Sequence, residues 1–215
     1  MLNTTIDSKL LSSKSAVSNA LSNSAIQAML NSFGYTESIL QEGMELCTTT
    51  DNLHSAQKKE YGEQYAATDE LNELKVLANH QYIQDLRIAR IALKGQRSTQ
   101  ESLLLSGRRK ESLSGWLKQA KTFYTNALNT PEVLAGMGTY NRTQEHLEAG
   151  LTKVNAVEQA YAAQLKEKGE AQDATEKRDS AFDTMQEWMS DFKSIARIAL
   201  ESQPQYLEML GIVKK

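Results

Sequence analysis

The hexapeptide Ile-Ala-Arg-Ile-Ala-Leu stands at positions 88–93 and again at 195–200, 107 residues apart in a chain of 215. The same offset, with no gap, brings further residues into register. Leu10 and Lys14 fall on Leu117 and Lys121, and Asn19-Ala20-Leu21 on Asn126-Ala127-Leu128. Thr36, Leu40 and Gly43 fall on Thr143, Leu147 and Gly150, and Gly62-Glu63 falls on Gly169-Glu170. Two alanine-rich helices could share six residues by chance, but one offset would not then hold across the whole unit. A repeat of this length means that one supersecondary unit serves twice. We read residues 1–107 and 108–215 as tandem copies of one unit.

The unit is helical. The chain has two prolines, Pro131 and Pro204, and none before them. Ala, Leu, Glu, Gln and Lys, all good helix formers, dominate the composition. Asn129-Thr130-Pro131-Glu132 is a strong helix start, which makes the matched Ser22-Asn23-Ser24-Ala25 a break as well. Helices are expected over 8–21 and 112–128, and short ones over 24–31 and 131–136. The longest stripe follows a three-four spacing, Leu147, Leu151, Val154, Val157, Tyr161 and Leu165. Its first-copy counterpart, Leu40, Met44, Cys47, Thr50, His54 and Lys58, is more polar.

Gly62 and Gly169 close that stripe amid charge and predict a helix-ending turn. A further helix then covers 67–93 and 174–200, with Ala181, Met185, Trp188, Phe192, Ile195 and Ala199 as its second-copy face. The hexapeptide ends it, with Ile88, Ile91 and Ala92 on one face and Arg90 placed to favour a helix C-terminus. Pro204 and Gly211 bound a short closing helix. The expected fold is all-α: a tandem duplication whose two long helical hairpins form a pseudo-two-fold four-helix bundle, with short helices outside. The two units, 1–107 and 108–215, are expected to share one core.

The ending, Ala-Arg-Ile-Ala-Leu followed by Pro-x-x-Leu-x-x-Leu-Gly, resembles the tail of some uncharacterised bacterial helical proteins. The resemblance covers 195–212 alone and implies no chemistry.

Composition narrows the function classes. No window approaches the eighteen or so apolar residues of a membrane span. The first residues lack a basic segment followed by an apolar run, so no secretory signal is expected. Cys47, the only cysteine, excludes an internal disulfide and fits a reducing compartment, and we expect a cytoplasmic protein. Without secretion, the triplets Asn3-Thr4-Thr5 and Asn141-Arg142-Thr143 are not glycosylation sites. A net charge of −3 argues against general nucleic-acid binding.

No catalytic constellation emerges. His54, His80 and His146 stand in neither Glu-x-x-His nor His-x-x-x-His spacing, so no metal site is expected. Cys47 lies on the core stripe with no histidine or base placed to activate it. No phosphate-binding glycine loop and no Gly-x-Ser-x-Gly occurs, so neither a cofactor nor a catalytic residue is assigned.

Charge distribution is more suggestive. Residues 35–84 hold nine acidic and three basic side chains, whereas 85–121 hold nine basic and three acidic. The plain reading is a helix C-terminus followed by a solvated linker. The functional one makes Arg97, Arg108, Arg109 and Lys110 a docking site for an acidic protein surface. Nucleic acid is the weaker candidate, since no aromatic or glycine-rich module accompanies them. The expected function is a non-enzymatic scaffold or protein-interaction protein whose partner is another protein. The alternative is a small-ligand- or metal-binding bundle using Thr50, His54 and Lys58.

Overall fold

The computed structural model describes residues 5–212. Residues 1–4, including Asn3 of the first glycosylation triplet and the start of the segment read for a secretory signal, lie outside the described residues. Eight helices and no strand form among the described residues: α1 Ile6–Ser22, α2 Ser24–Asn31, α3 Glu37–Ala92, α4 Arg97–Ser102, α5 Leu113–Leu128, α6 Pro131–Gly138, α7 Gln144–Ala199 and α8 Pro204–Met209. The chain is all-α, as its composition requires. α2 and α6 have 8 residues each, α3 and α7 have 56, and α4 and α8 have 6. Each of these pairs begins 107 residues apart.

Local chemistry sets these boundaries. The Asn23 side chain accepts from the backbone N–H groups of Ala25 and Ile26 and opens α2. Thr36 and Thr143, a matched pair, accept from Ile39 N–H at 3.4 Å and His146 N–H at 3.3 Å and open the long helices. Pro131 starts α6, but the Thr130 hydroxyl donates back to Asn126 O instead of capping it. The turns before the long helices need a left-handed residue, which Gly34 and Asn141 supply at φ 88° and 59°.

One expectation fails at matched positions. Gly62 and Gly169 end nothing, because each lies inside an uninterrupted 56-residue helix. Neither has a positive φ, and a Cβ at either would meet nothing within 4 Å. A lone glycine costs a helix about 1 kcal/mol, and the surrounding helix formers outweigh it. The two long helices expected in each copy are therefore one.

This continuity moves the compact units away from the 107/108 boundary. They are Gly62–Lys168, and Met1–Tyr61 with Gly169–Lys215. The expectation of units 1–107 and 108–215 around one core is corrected accordingly: among the described residues there are two core clusters, and each draws on both halves of the sequence.

In the unit Gly62–Lys168, the later half of α3 lies antiparallel to the first half of α7, with Asp85 against His146 and Gln81 against Lys153. α4, α5 and α6 complete it around Tyr82, Leu86, Phe123, Tyr124, Met137 and Leu147. In the other unit, the first part of α3 lies antiparallel to the later part of α7. There Thr50 Oγ1 donates to Ala181 O, and Gln57 Nε2 to Thr175 Oγ1. α1, α2 and α8 complete this unit around Val17, Ile26, Leu40, Cys47, Phe192 and Leu200.

The matched residues are largely contacts made once in each unit. Lys14 pairs with Asp51, and Lys121 with Glu158, 107 positions on. Asn19 Nδ2 donates to Met209 O at 2.6 Å, and Asn126 Nδ2 to Ser102 O at 2.7 Å. Gly43 lies under the Trp188 ring and Gly150 under the Tyr124 ring, each so close that a Cβ would overlap it.

Two stripes shift from their expected faces. Tyr161 and Leu165 are 40% and 49% exposed. The buried seam runs instead through Val154, Val157 and Ala160, because packed helices follow a period below 3.6 and the contact walks around the helix. In the hexapeptide, Ala89 and Leu93, like Ala196 and Leu200, are buried, whereas Ile91 and Ile198 are each 57% exposed. Two residues on from Ala89 is about 200° around the helix. Arg90 donates from Nε and Nη2 to Leu105 O at 3.0 and 2.8 Å, tying the end of α3 to the segment after α4.

The glycines separate these roles experimentally. Gly62→Ala and Gly169→Ala should each raise stability by about 0.5–1 kcal/mol. Gly43→Ala and Gly150→Ala should each lower it by about 1–3 kcal/mol through overpacking. Urea unfolding followed by circular dichroism reads both directions.

Candidate functional site

With one backbone plan used twice, positions where the units agree report architecture, and positions where they differ are candidates for function. The largest difference in the two cores centres on Asp85. Its side chain is fully buried on the apolar face of α3, between Tyr82 and Ala89. Tyr124 Oη donates to Asp85 Oδ2 at 2.9 Å. His146 Nε2 and Arg142 Nε each lie 2.9 Å from Oδ1. Gln81 Nε2 donates to His146 O at 3.1 Å, and Lys153 Nζ donates to Gln81 Oε1 at 2.9 Å.

An isolated carboxylate here would cost several kcal/mol, but a cation, an imidazole and a phenol surround this one. Arg142 and His146 keep 23% and 32% of their side chains exposed, so the cluster reaches the surface through them. Burial, followed by the Asp85 charge and its hydrogen bond, pushes the Tyr124 phenol far above its ordinary range.

At the matched positions of the other unit, Phe192 replaces Asp85, Trp188 replaces Gln81, Tyr35 replaces Arg142, and Ile39 replaces His146. There Trp188 and Phe192 stack at 5.3 Å with an interplanar angle of 14°. Tyr35 sits 5.6 Å from Phe192. The same scaffold is therefore filled with rings in one unit and with a charged network in the other.

The basic residues singled out in the sequence do not converge. Arg97 is exposed at the start of α4. Arg108 is exposed and paired with Glu111. Arg109 is turned inward: Nη1 donates to Tyr82 Oη at 3.2 Å and Nη2 to Ser106 O at 2.7 Å. It therefore braces the linker against α3. Lys110 is exposed, and its backbone N–H donates to Gln119 Oε1. Arg108, Arg109, Lys110 and Glu111 border a shallow recess of about 310 Å³, and Arg97 stands apart from it.

Thr50, His54 and Lys58 also have structural partners. The Thr50 hydroxyl is buried and donates to Leu46 O and Ala181 O. His54 is 8% exposed, with Nε2 3.2 Å from Asp7 Oδ1, and Lys58 reaches the same oxygen at 3.3 Å. Lys58, ahead of His54, lowers the Asp7 pKa. Cys47 is fully buried, and burial raises its thiol pKa, which favours the unreactive thiol.

A further difference lies on the outside. Val76 and Leu77 on α3 are 69% and 60% exposed, whereas Asp183 and Thr184 occupy the matched positions of α7 and are also exposed. Asp85 and Val76–Leu77 were overlooked in the sequence. The available signal was a lone charge on an apolar stripe and a lone apolar pair on a polar one.

No family model matches the chain, and searches of curated proteins and of solved structures find no match.

The Asp85 network yields a stability test. Asp85→Ala leaves Arg142 and His146 without their counter-charge and should cost about 3 kcal/mol. Tyr124→Phe should cost about 1 kcal/mol. Because folding raises the Tyr124 pKa, its contribution is present below about pH 10 and is lost as the pH rises above it, where only the unfolded phenol ionises. Alkaline unfolding should accordingly be shallower in Tyr124→Phe than in the unsubstituted protein.

Proposed function

We propose that the protein is a non-enzymatic helical scaffold that acts by docking another protein, and that its two halves arose by duplication of a unit of 107 residues. The helix boundaries and paired contacts recurring at that offset support the duplication. The observation that carries the docking role is exposed apolar surface recurring at the same offset. Phe33 and Tyr140 are 48% and 44% exposed, and Ile91 and Ile198 are each 57% exposed. Each compact unit thus presents an aromatic residue and an isoleucine to solvent at these matched positions. Scattered exposed apolar residues are ordinary, but paired ones kept at matched positions are what a repeated contact surface requires. Arg97, Arg108 and Lys110 add exposed positive charge suited to an acidic protein surface. No described helix is long and apolar enough to cross a membrane. We assign the protein to the cytoplasm on its single cysteine, which suits a reducing compartment.

In-cell cross-linking from probes placed beside Ile91 and Ile198 tests this role. The expected result is one reproducible protein adduct, lost in Ile91→Asp/Ile198→Asp while the melting temperature holds, because exposed substitutions change stability by no more than about 0.5 kcal/mol. An adduct indifferent to both substitutions would overturn the assignment of these faces, and stoichiometric capture of a small metabolite by the purified chain would favour the ligand-binding alternative.

A further inference from the structure

Two other surfaces of the unit Gly62–Lys168 complement each other. The first is the strip on α3 formed by Val76 and Leu77, which with Asn72 and Glu73 line a shallow, mostly apolar depression of about 410 Å³. Asp183 and Thr184 at the matched positions of α7 show that the helix accepts polar residues there. Packing within the chain therefore does not require the apolar pair. Asp69, Glu70 and Glu73 rim the strip, all exposed, and none makes an ion pair among the described residues.

The second surface is a groove between α5 and α7 of about 570 Å³. Leu113, Leu117 and Tyr161 form its apolar walls, and Lys118 and Lys121 stand at its edge with Glu158. Lys121 is held by Glu158, while Lys118 is exposed and makes no ion pair among the described residues. The strip offers apolar side chains ringed by carboxylates, and the groove offers apolar walls with a cation at the edge.

We propose that the Val76–Leu77 strip of one chain docks in the α5–α7 groove of a second copy, with Lys118 facing the Glu70–Glu73 rim. The apolar pair leaves water against the walls of Leu113, Leu117 and Tyr161, and the charges orient it. Made reciprocally across a two-fold axis, strip to groove and groove to strip, the contact closes a dimer. Both surfaces are small beside the roughly 1,200–2,000 Å² of a stable interface, which makes the association weak and reversible. It shares with the docking role above only the premise that exposed apolar surface is contact surface, and it concerns different residues.

Sedimentation equilibrium on the full chain, from about 1 μM to 1 mM and at low and high salt, tests it. The expected mass rises from one chain toward two with concentration, and the rise weakens with salt. Val76→Asp/Leu77→Thr, which installs the residues found at 183 and 184, should abolish it without altering the helical melt. Lys118→Glu should weaken association by at least about tenfold, and adding Glu70→Lys/Glu73→Lys should restore it. A chain that stays monomeric throughout overturns the proposal, as does self-association indifferent to Val76→Asp/Leu77→Thr or to Lys118→Glu. Neither result bears on the cross-links beside Ile91 and Ile198, so the two ideas fail separately.

Discussion

The unbroken path of α3 through Gly62, and of α7 through Gly169, constrains the rest of the structure. Each 56-residue helix contributes one part to each compact unit, so each buries apolar residues in both cores. Leu40 and Cys47 of α3 enter one core, while Tyr82, Leu86 and Leu93 enter the other. α7 does the reverse, with Leu147 and Val157 in one and Met185 and Phe192 in the other. Each core therefore closes only with residues from both halves of the sequence. The hydrogen bonds Asn19–Met209 and Asn126–Ser102 express the same arrangement at the ends of the short helices.

Within that plan the two cores solve one packing problem differently. Trp188, Phe192 and Tyr35 fill their unit with rings, whereas Gln81, Asp85 and Arg142 fill the other with charge. Replacing a buried ion pair with apolar residues of similar size is often neutral or stabilising. The aromatic version shows that this backbone holds together without the carboxylate. Folding alone accordingly gives no reason for the network that joins Asp85 to the partly exposed His146 and Arg142.

Much of this architecture was legible in the sequence. Helical periodicity and the Asn23 and Pro131 breaks located the short helices; of the first-copy stripe, Leu40, Cys47, Thr50 and His54 are buried, Met44 is partly buried and Lys58 is exposed. The offset of 107 also gave Lys14, Lys121, Asn19 and Asn126 as a set before their contacts were visible. The misplaced boundary came from weighing Gly62 as a C-cap. A glycine ends a helix when the backbone turns left-handed and its carbonyls find other donors, and neither condition is encoded by the glycine itself. Asp85 was hidden because its partners are remote in sequence, and a charge on a stripe reads as a boundary residue until Tyr124, Arg142 and His146 are brought to it. Arg109 was hidden for the same reason, since its partner Tyr82 lies 27 positions away.

Native-state hydrogen exchange across a series of sub-denaturing urea concentrations tests the partition of the cores most directly. If each core combines both copies, amides over 78–93, 116–127 and 147–157 should open with one shared free energy. Those over 10–20, 40–47 and 185–200 should share another, so that each 56-residue helix divides near its glycine. Amides that instead group as 1–107 against 108–215, with each long helix opening as a whole, would contradict the account.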